Sequence, residues 1–556
     1  MIHSHPRSYK YEYDRTVLCH KKLYIQFGVH TVPTWKHVVS STVRSTFQDW
    51  RDTLKSERRF FLLFEQLIKI PALSFASVYG QYRGACLAKL SRTHLSKIAN
   101  PEKLRVILTT HQFLPDYSSG TEILTLETAK ELKRLGHKVS VITGFPSREA
   151  VKDNERLDRY THDGIDVLRF QHHFSPNSLQ SNPIEMEYNN RLFGYYLKNY
   201  LKIEKPDIVH FFHLMKLSAS AVDTCHDLGI PTVYTPTDFW FICPTCQLRL
   251  PDNRTCYGPE ASAANCVRHI VTISQPDRVD HLVKRLPDWI LAVLIYLFKH
   301  GLKIDKYYSP IIHAFAHRHD FLVERINKID KVMTPTRIMH SLLTRNGLDE
   351  NRTISIPFGL NLQYLIHAKR PEQAGILRLG YIGTLSEHKG VHILIDAMQK
   401  LSGEPVELKI YGKLDDFPEY VEKLQNRSRD DHRIQFCGTF PNHEIGKIFS
   451  SLDVLVVPSL WFENSPLVVY SAQAARCPVI ASNMDGMSDI IEHGKNGLLF
   501  DAGNSTQLAE SINQLINNKN LLNELSERSK VPLSIQDYAS KLEWIYREIL
   551  MSKVAE

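Results

Sequence analysis

RVILTTHQFLPDYSSGTEILTLETAKELKRLGHKVSVIT, residues 105–143, opens on the short apolar run Val106-Ile107-Leu108, which suits a buried parallel strand. A polar loop follows. Residues 121–134 then place their apolar side chains at helical spacing, Gly136 ends the helix, and Val139–Ile142 is the next strand. Strand, helix and strand in this order make a βαβ unit, the building block of a doubly wound sheet. Further strands are expected at 207–212 (DIVHFF) and 231–235 (PTVYT).

A second series of the same kind begins near 376. Its expected strands are 376–382 (ILRLGYI), 406–411 (VELKIY), 433–437, 453–457 (DVLVV) and 478–481 (PVIA). Helical patterns fall between and after them, at 389–401, 415–427, 442–451, 465–476 and 505–517. The fold class is therefore α/β, with two Rossmann-like doubly wound domains whose loops at the strand C-terminal ends face a cleft. The division that follows is an extension over 1–103, a first domain over 104–370, a second over 371–534, and a helix at 535–556 that could cross back to the first domain. Within the first domain, 243–330 reads as an irregular insert holding a cysteine cluster.

Composition narrows the function classes. The chain has 556 residues, 43% apolar and 23% charged, with 25 Gly and 27 Pro, which excludes collagenous and low-complexity chains. Residues 1–103 carry 17 Lys/Arg against 7 Asp/Glu, while the rest is nearly balanced at 51 against 53. The basic excess thus belongs to the extension, where it could meet anionic lipid headgroups; no helix-turn-helix or RNA-binding pattern supports nucleic acid. Leu54, Phe61, Phe64 and Ile68 share a helical stripe beside Arg58, Arg59 and Lys69, which suits either a membrane surface or packing on the next domain. MIHSHPRSYK has no apolar core and is not a secretory signal, and no run is long enough to span a bilayer. Nine cysteines in so long a chain do not suggest a disulfide scaffold, and the expected location is the cytoplasm.

Specific residues come from VVPSLWFENSPLVVYSAQAARCPVIAS, 456–482. This stretch resembles the donor-site motif of family 4 glycosyltransferases, which have the GT-B fold. YIGTLSEHKG, 381–390, is similar to that family's phosphate loop, and HQFLPDYSSGTE, 111–122, to its N-domain glycine loop. PDIVHFFHLMKLSASA, 206–221, and PTDFWFICP, 236–244, resemble its acceptor side. The resemblance covers about 104–550 and implies a retaining, generally metal-independent transfer from a nucleotide-diphosphate sugar. It implies Glu463, Lys389 and His213 as catalytic residues, with His210 the alternative to His213. Donor-binding residues would be Gly120, Gly383, Thr384, Lys389, Glu463, Asn464, Ser465, Pro466, Leu467 and Ser471.

Physical chemistry accounts for several of these positions. Gly383 follows a strand and lets the backbone approach phosphate, before a helix whose first N–H groups attract anions. Lys389 adds a point charge to a leaving diphosphate. Glu463 precedes a helix that Ser465 could cap, with Pro466 at its first position; its carboxylate could accept sugar hydroxyls or simply complement the helix dipole. The chain also departs from the family pattern. Ser471 stands in place of a second Glu, and Thr384 in place of a frequent Arg. Phe212 and Thr237 occupy positions where His is common, with His213 one step along. Strand alternation would point His210 and His213 to opposite faces.

Cys243, Cys246, Cys256, Cys266 and His269 gather five soft ligands within 27 residues, with two x2 spacings. That pattern suits a structural zinc, with Cys243, Cys256, Cys266 and His269 as ligands and Cys246 spare or substitute; buried thiols are the other reading. Some members of the resembled family carry a similar insert. The apolar segment 289–298 is too short to span and could be buried or dip into lipid.

The function expected from the resemblance is a glycosyltransferase at the inner face of a membrane, needing no cofactor for catalysis. It would move a hexosyl unit from a UDP- or GDP-sugar to a glycan or lipid-linked acceptor in cell-surface polysaccharide assembly. Ser471 and Thr384 keep open a non-catalytic binding protein of the same fold, and a nucleotide-sugar epimerase is a third reading.

Overall fold

The computed structural model describes residues 35–56, scattered positions between 71 and 81, and 103–250, 254–274, 285–302, 308–365 and 375–555. Contacts divide the chain into 1–103 and 104–556. In the first unit, helix α1 (Trp35–Ser56) buries Val38 against Val78 and leaves Val39, Val43 and Phe47 exposed. The stripe expected over 54–70 lies outside the described residues beyond Ser56.

The second unit holds two sheets. The first comprises β1 (Arg105–Thr110), β2 (Lys138–Pro146), β3 (Leu157–His162), β4 (Ile165–His172), β5 (Ile208–Phe211), β6 (Thr232–Tyr234), β7 (Lys331–Thr334) and β8 (Thr353–Ser355). Their order is β3-β4-β2-β1-β5-β6-β7-β8, parallel throughout except for the β3–β4 hairpin. β1 pairs on both sides, with Val106 opposite Val139 of β2 and Ile208 of β5. It is buried along nearly its whole length, as its continuous apolar run requires. Helix α2 (Gly120–Arg134) covers one face with Leu124, Ala129 and Leu132.

The expected strands near 106, 139, 208 and 232 are present; β3, β4, β7 and β8 are additional. The β3–β4 hairpin turns on Asp163-Gly164, both at positive φ (49° and 73°), the Asp-Gly signal of a type I′ turn. Its outer strand is half-exposed and polar, so no apolar run marks it. The 243–330 insert is also not irregular: it contains α3 (Ala264–Ser274), α4 (Asp288–Lys299) and α5 (Tyr308–Ile326). Leu291 and Ile295 of α4 pack against Ala264, Val267, Phe315 and Ala316 of its neighbours. Trp289, Val293, Tyr296 and Leu297 on its other side are exposed, so 289–298 is half-buried rather than wholly one or the other.

The second sheet is β9 (Leu377–Ile382), β10 (Val406–Tyr411), β11 (Ile434–Gly438), β12 (Val454–Val457), β13 (Val479–Ser482) and β14 (Gly497–Phe500). All its pairs are parallel, in the order β11-β10-β9-β12-β13-β14. Helices α6 (Val391–Lys400) and α7 (Leu467–Ala474) follow β9 and β12. The last helix, α8 (Ile535–Ala555), leaves this domain and packs Tyr538, Leu542, Ile545 and Tyr546 into the core around β1 and α2. Each such buried side chain stabilises the fold by about 1.5–3 kcal/mol. Among the described residues no helix is long and apolar enough to cross a membrane.

Candidate active site

Strand order reverses once in each sheet, between β1 and β5 and between β9 and β12. Loops leaving the carboxyl ends at such a point diverge and open a crevice. In the second sheet, the loop after β9 carries Gly383, Thr384 and Lys389, and the loop after β12 carries Glu463. The Leu460 N–H donates to the His388 carbonyl (2.8 Å) and clips the two loops together. Gly390 permits the approach: at φ 72° it lies against the Pro458 carbonyl, where a Cβ would overlap the oxygen.

Three donors converge on Glu463 Oε1: Lys389 Nζ at 2.7 Å, Ser459 Oγ at 2.6 Å and Trp461 Nε1 at 2.9 Å. Oε2 receives none among the described residues, and so remains an acceptor. Burial alone would push this carboxyl's pKa up; the Lys389 ammonium and the three hydrogen bonds outweigh it and hold it below the usual carboxylate value. The Trp461 ring lies beneath the Lys389 ammonium at 4.8 Å and beside His388, whose pKa burial pushes down to about 4. Ser459 and Trp461 were not singled out in the sequence. The signal was their place in the same loop, four and two residues before Glu463.

The remaining motif residues take different roles. The α7 helix begins at Leu467 with Pro466 in the cap position; Ser465 makes no cap bond and donates to Tyr470 Oη (3.3 Å). The expected Ser465 cap and Pro466 first turn are thus shifted by one residue, because Pro466 keeps extended ψ (105°). Asn464 is used between domains, donating to the Pro236 carbonyl (2.9 Å) and accepting from Thr336 Oγ1 (3.3 Å). Ser471 is buried and donates to the Leu467 carbonyl one turn back (2.9 Å), so its hydroxyl is consumed inside the helix. Thr384 is exposed, and its carbonyl accepts from Tyr381 Oη (2.8 Å). Gly383 sits at the end of β9, and Gly486 (φ 93°) packs against the Glu463 carbonyl from behind.

Across the crevice, Gly120 opens α2 and lies close to Leu467; a Cβ there would come 3.6 Å from its Cδ1. His111, just after β1, packs against His213 with ring centroids 4.2 Å apart and planes tilted by 38°. Burial, then the charges of His213 and Lys216, press the His111 pKa well down. Beside it Glu122, in the first turn of α2, is fully buried with Oε1 3.7 Å from His111 Nε2; among the described residues neither carboxyl oxygen has a hydrogen-bond partner, and burial pushes its pKa up. His213 is not on β5, which ends at Phe211, so strand alternation does not govern it. Its Nδ1 accepts the Met215 N–H (3.0 Å), so the neutral ring carries its proton on Nε2, which donates to Asp238 Oδ2 at 2.6 Å. His210 lies in the core instead, fully buried between Tyr546 Oη (2.6 Å) and Thr235 Oγ1 (2.8 Å).

Of the five soft ligands, Cys243, Cys256, Cys266 and His269 line one small cavity. Cys246 turns away from it, toward His213 and Asp238.

Comparison with known proteins places these features in context. Residues 118–364 match the family described as Glycosyltransferase Family 4, and residues 365–531 match Glycosyl transferases group 1. An uncharacterized glycosyltransferase of Methanocaldococcus jannaschii is 28% identical over 415 residues, 74% of this chain and 89% of that protein. A second glycosyltransferase of that organism is 31% identical over 215 residues, 36% of this chain, and the match spans about half (53%) of its own length. Among solved structures, Anabaena HepE in complex with UDP and glucose superposes with a TM-score of 0.50 at 16% identity, covering 82% of this chain and all of that one. That likeness is one of fold.

Proposed function

The chain belongs to glycosyltransferase family 4, and on that premise we propose that it transfers a hexosyl unit, with retention of configuration, from a UDP- or GDP-sugar to a glycan or lipid-linked acceptor. The observation that carries this reading is the Lys389–Glu463 pair at the β9/β12 reversal, with Oε2 open to a sugar hydroxyl. HepE, which shares the fold, has been solved in complex with UDP and glucose, and this supports a nucleotide-sugar donor for this chain.

Retention needs no covalent carboxylate in this account. The donor would lie along Gly383–Lys389, its diphosphate facing Lys389 and the first N–H groups of α6. When the donor binds, its phosphate draws Lys389, and Glu463 turns to the hexose. The acceptor hydroxyl would approach from the His111–Glu122 side, and departing diphosphate would take its proton. Thr384 leaves room for a second cation from another segment. Arg249 of the insert is the candidate: its Nε is buried without a hydrogen-bond partner among the described residues, and its charge is felt at His388 and His392 beside the donor loop.

A lipid-linked acceptor fits the exposed apolar side of α4, and peripheral attachment at the inner membrane face follows from the same reading. The non-catalytic alternative draws its support from Ser471, whose hydroxyl is already bonded within α7. Following each nucleotide sugar by NMR with the full chain separates the readings. Release of nucleotide with a sugar of unchanged anomeric configuration supports retaining transfer. Binding without turnover supports the scaffold, and conversion of the sugar while still on the nucleotide supports the epimerase.

A further inference from the structure

Cys243, Cys256, Cys266 and His269 surround a cavity of about 10 Å³, enough for one water-sized sphere. They come from three separate segments. Cys243 closes the turn after Asp238, its N–H donating to the Phe239 carbonyl (2.8 Å). Cys256 lies on a hairpin held by its N–H to the Leu248 carbonyl (2.8 Å) and by the Arg249–Thr255 bridge. Cys266 and His269 are three residues apart on α3, hence on one helical face. We propose that these four residues hold a structural zinc ion, and that Cys246 is not among its ligands.

Three thiolates and one imidazole are a common structural zinc set, and x2 spacing on a helix supplies two adjacent corners of a tetrahedron. No three of the four ligand atoms lie within 4.8 Å of one another. Zinc–sulfur bonds of about 2.3 Å put thiolates nearly 3.8 Å apart, so metal would draw the ligands into the cavity they line. The gain is a cross-link that ties the turn carrying Asp238, the hairpin carrying Arg249, and α3, adding to the Asn265–Gly258 hydrogen bond (2.9 Å).

The competing cluster is His213, Asp238 and Cys246, whose ligand atoms do lie within 4.8 Å of one another. It does not suit a metal. Met215 donates its N–H to His213 Nδ1, which leaves the proton on Nε2, the nitrogen that faces Asp238. Metal-bound histidines show the opposite arrangement, a bare nitrogen on the metal and N–H donated outward. Cys246, at φ 63°, does not line the cavity and instead sets its sulfur 4.0 Å from that of Met215.

Metal analysis of the purified full-length chain tests this, together with the visible spectrum after exchange to cobalt(II). The expected result is one zinc per chain, and a cobalt spectrum of tetrahedral thiolate type. Cys246→Ser should retain the metal, whereas Cys256→Ser and His269→Ala should lose it. Metal-free protein that gives no such cobalt spectrum overturns the proposal, as does an iron–sulfur chromophore. Loss of the metal in Cys246→Ser overturns the ligand assignment. If Cys256→Ser does not fold, the wild-type cobalt spectrum and Cys246→Ser still decide.

Discussion

Lys389 and Glu463 meet at 2.7 Å across the strand reversal of the second sheet, one on the loop after β9 and the other on the loop after β12. Their partnership joins the two loops that a donor would occupy. Among the described residues it also leaves the second carboxylate oxygen, Oε2, without a donor, and that oxygen is the one proposed to meet the sugar.

Replacing Glu463 by Gln keeps its shape and removes its charge. Transfer should fall about 10²–10³-fold, as when a preorganised polar contact to a transition state is removed. Glu463→Ala should do the same and also lower stability by about 1–2 kcal/mol, because it leaves the partly buried Lys389 without its ion partner. Initial rates and thermal melts of both variants check this. Unchanged rates would remove Glu463 from the chemistry.

Arg249 and Thr384 give a paired test of the second cation. Arg249→Gln should weaken UDP or GDP binding about tenfold, the effect of losing one charge-assisted contact, and should flatten its salt dependence. Thr384 is exposed, so Thr384→Arg adds a cation without disturbing the core and should tighten binding several-fold. Calorimetric titrations at two salt concentrations read both effects. An Arg249→Gln protein that binds normally would leave Lys389 and the helix amides as the only support for the diphosphate.

Ser471 and Asn464 should respond oppositely to what the motif suggests. Ser471→Ala removes a hydroxyl that, among the described residues, bonds only to the Leu467 carbonyl, so donor affinity should stay within about twofold and the melting temperature should barely move. Asn464→Ala leaves the Pro236 carbonyl and Thr336 hydroxyl without their partner at the domain junction, and should cost about 1–3 kcal/mol. A large loss of affinity in Ser471→Ala would show that the hydroxyl leaves the helix to hold the nucleotide.

Acid should destabilise the protein well before its carboxylates titrate. Burial presses His210 to about 3 and His172 and His388 to about 4, whereas an unfolded histidine titrates near 6.5. Between pH 6.5 and 4 the unfolded chain therefore binds more protons than the folded one. The stability from these neutral rings is complete above pH 6.5 and is lost as pH falls toward 4. Melting temperatures should drop by several degrees from pH 7 to pH 5, with a shallower slope in His210→Gln. A flat profile over that range would contradict the burial of these rings.

The central strands of both sheets could be read in the sequence because their apolar runs and intervening amphipathic helices are local signals, whereas β7, β8 and β14, of three or four residues each, were too short to stand out. Val106–Leu108, the helix ended by Gly136, and the 453–457 strand before Glu463 are of this kind. The hairpin at Asp163-Gly164 carried a turn signal but lacked the apolar alternation that flags a strand. What could not be read depended on contacts between distant segments. Asn464 looks like a donor ligand until Pro236 arrives from the other domain. His210 looks like a cleft residue until Tyr546, 336 residues later, covers it. Backbone conformation hid a further feature: the extended Pro466 moves the α7 cap by one position.

The crevice lined by the Lys389–Glu463 pair at the β9/β12 reversal is proposed to bind a nucleotide-diphosphate sugar. Calorimetric titration of a panel of UDP- and GDP-sugars into the full chain, with Glu463→Ala alongside, tests it most directly. One donor should bind selectively, and Glu463→Ala should weaken the sugar-bearing donor about tenfold or more while leaving the free nucleotide diphosphate little changed. Folded wild-type protein that binds none of the panel, or that binds a donor equally well without Glu463, would contradict the account.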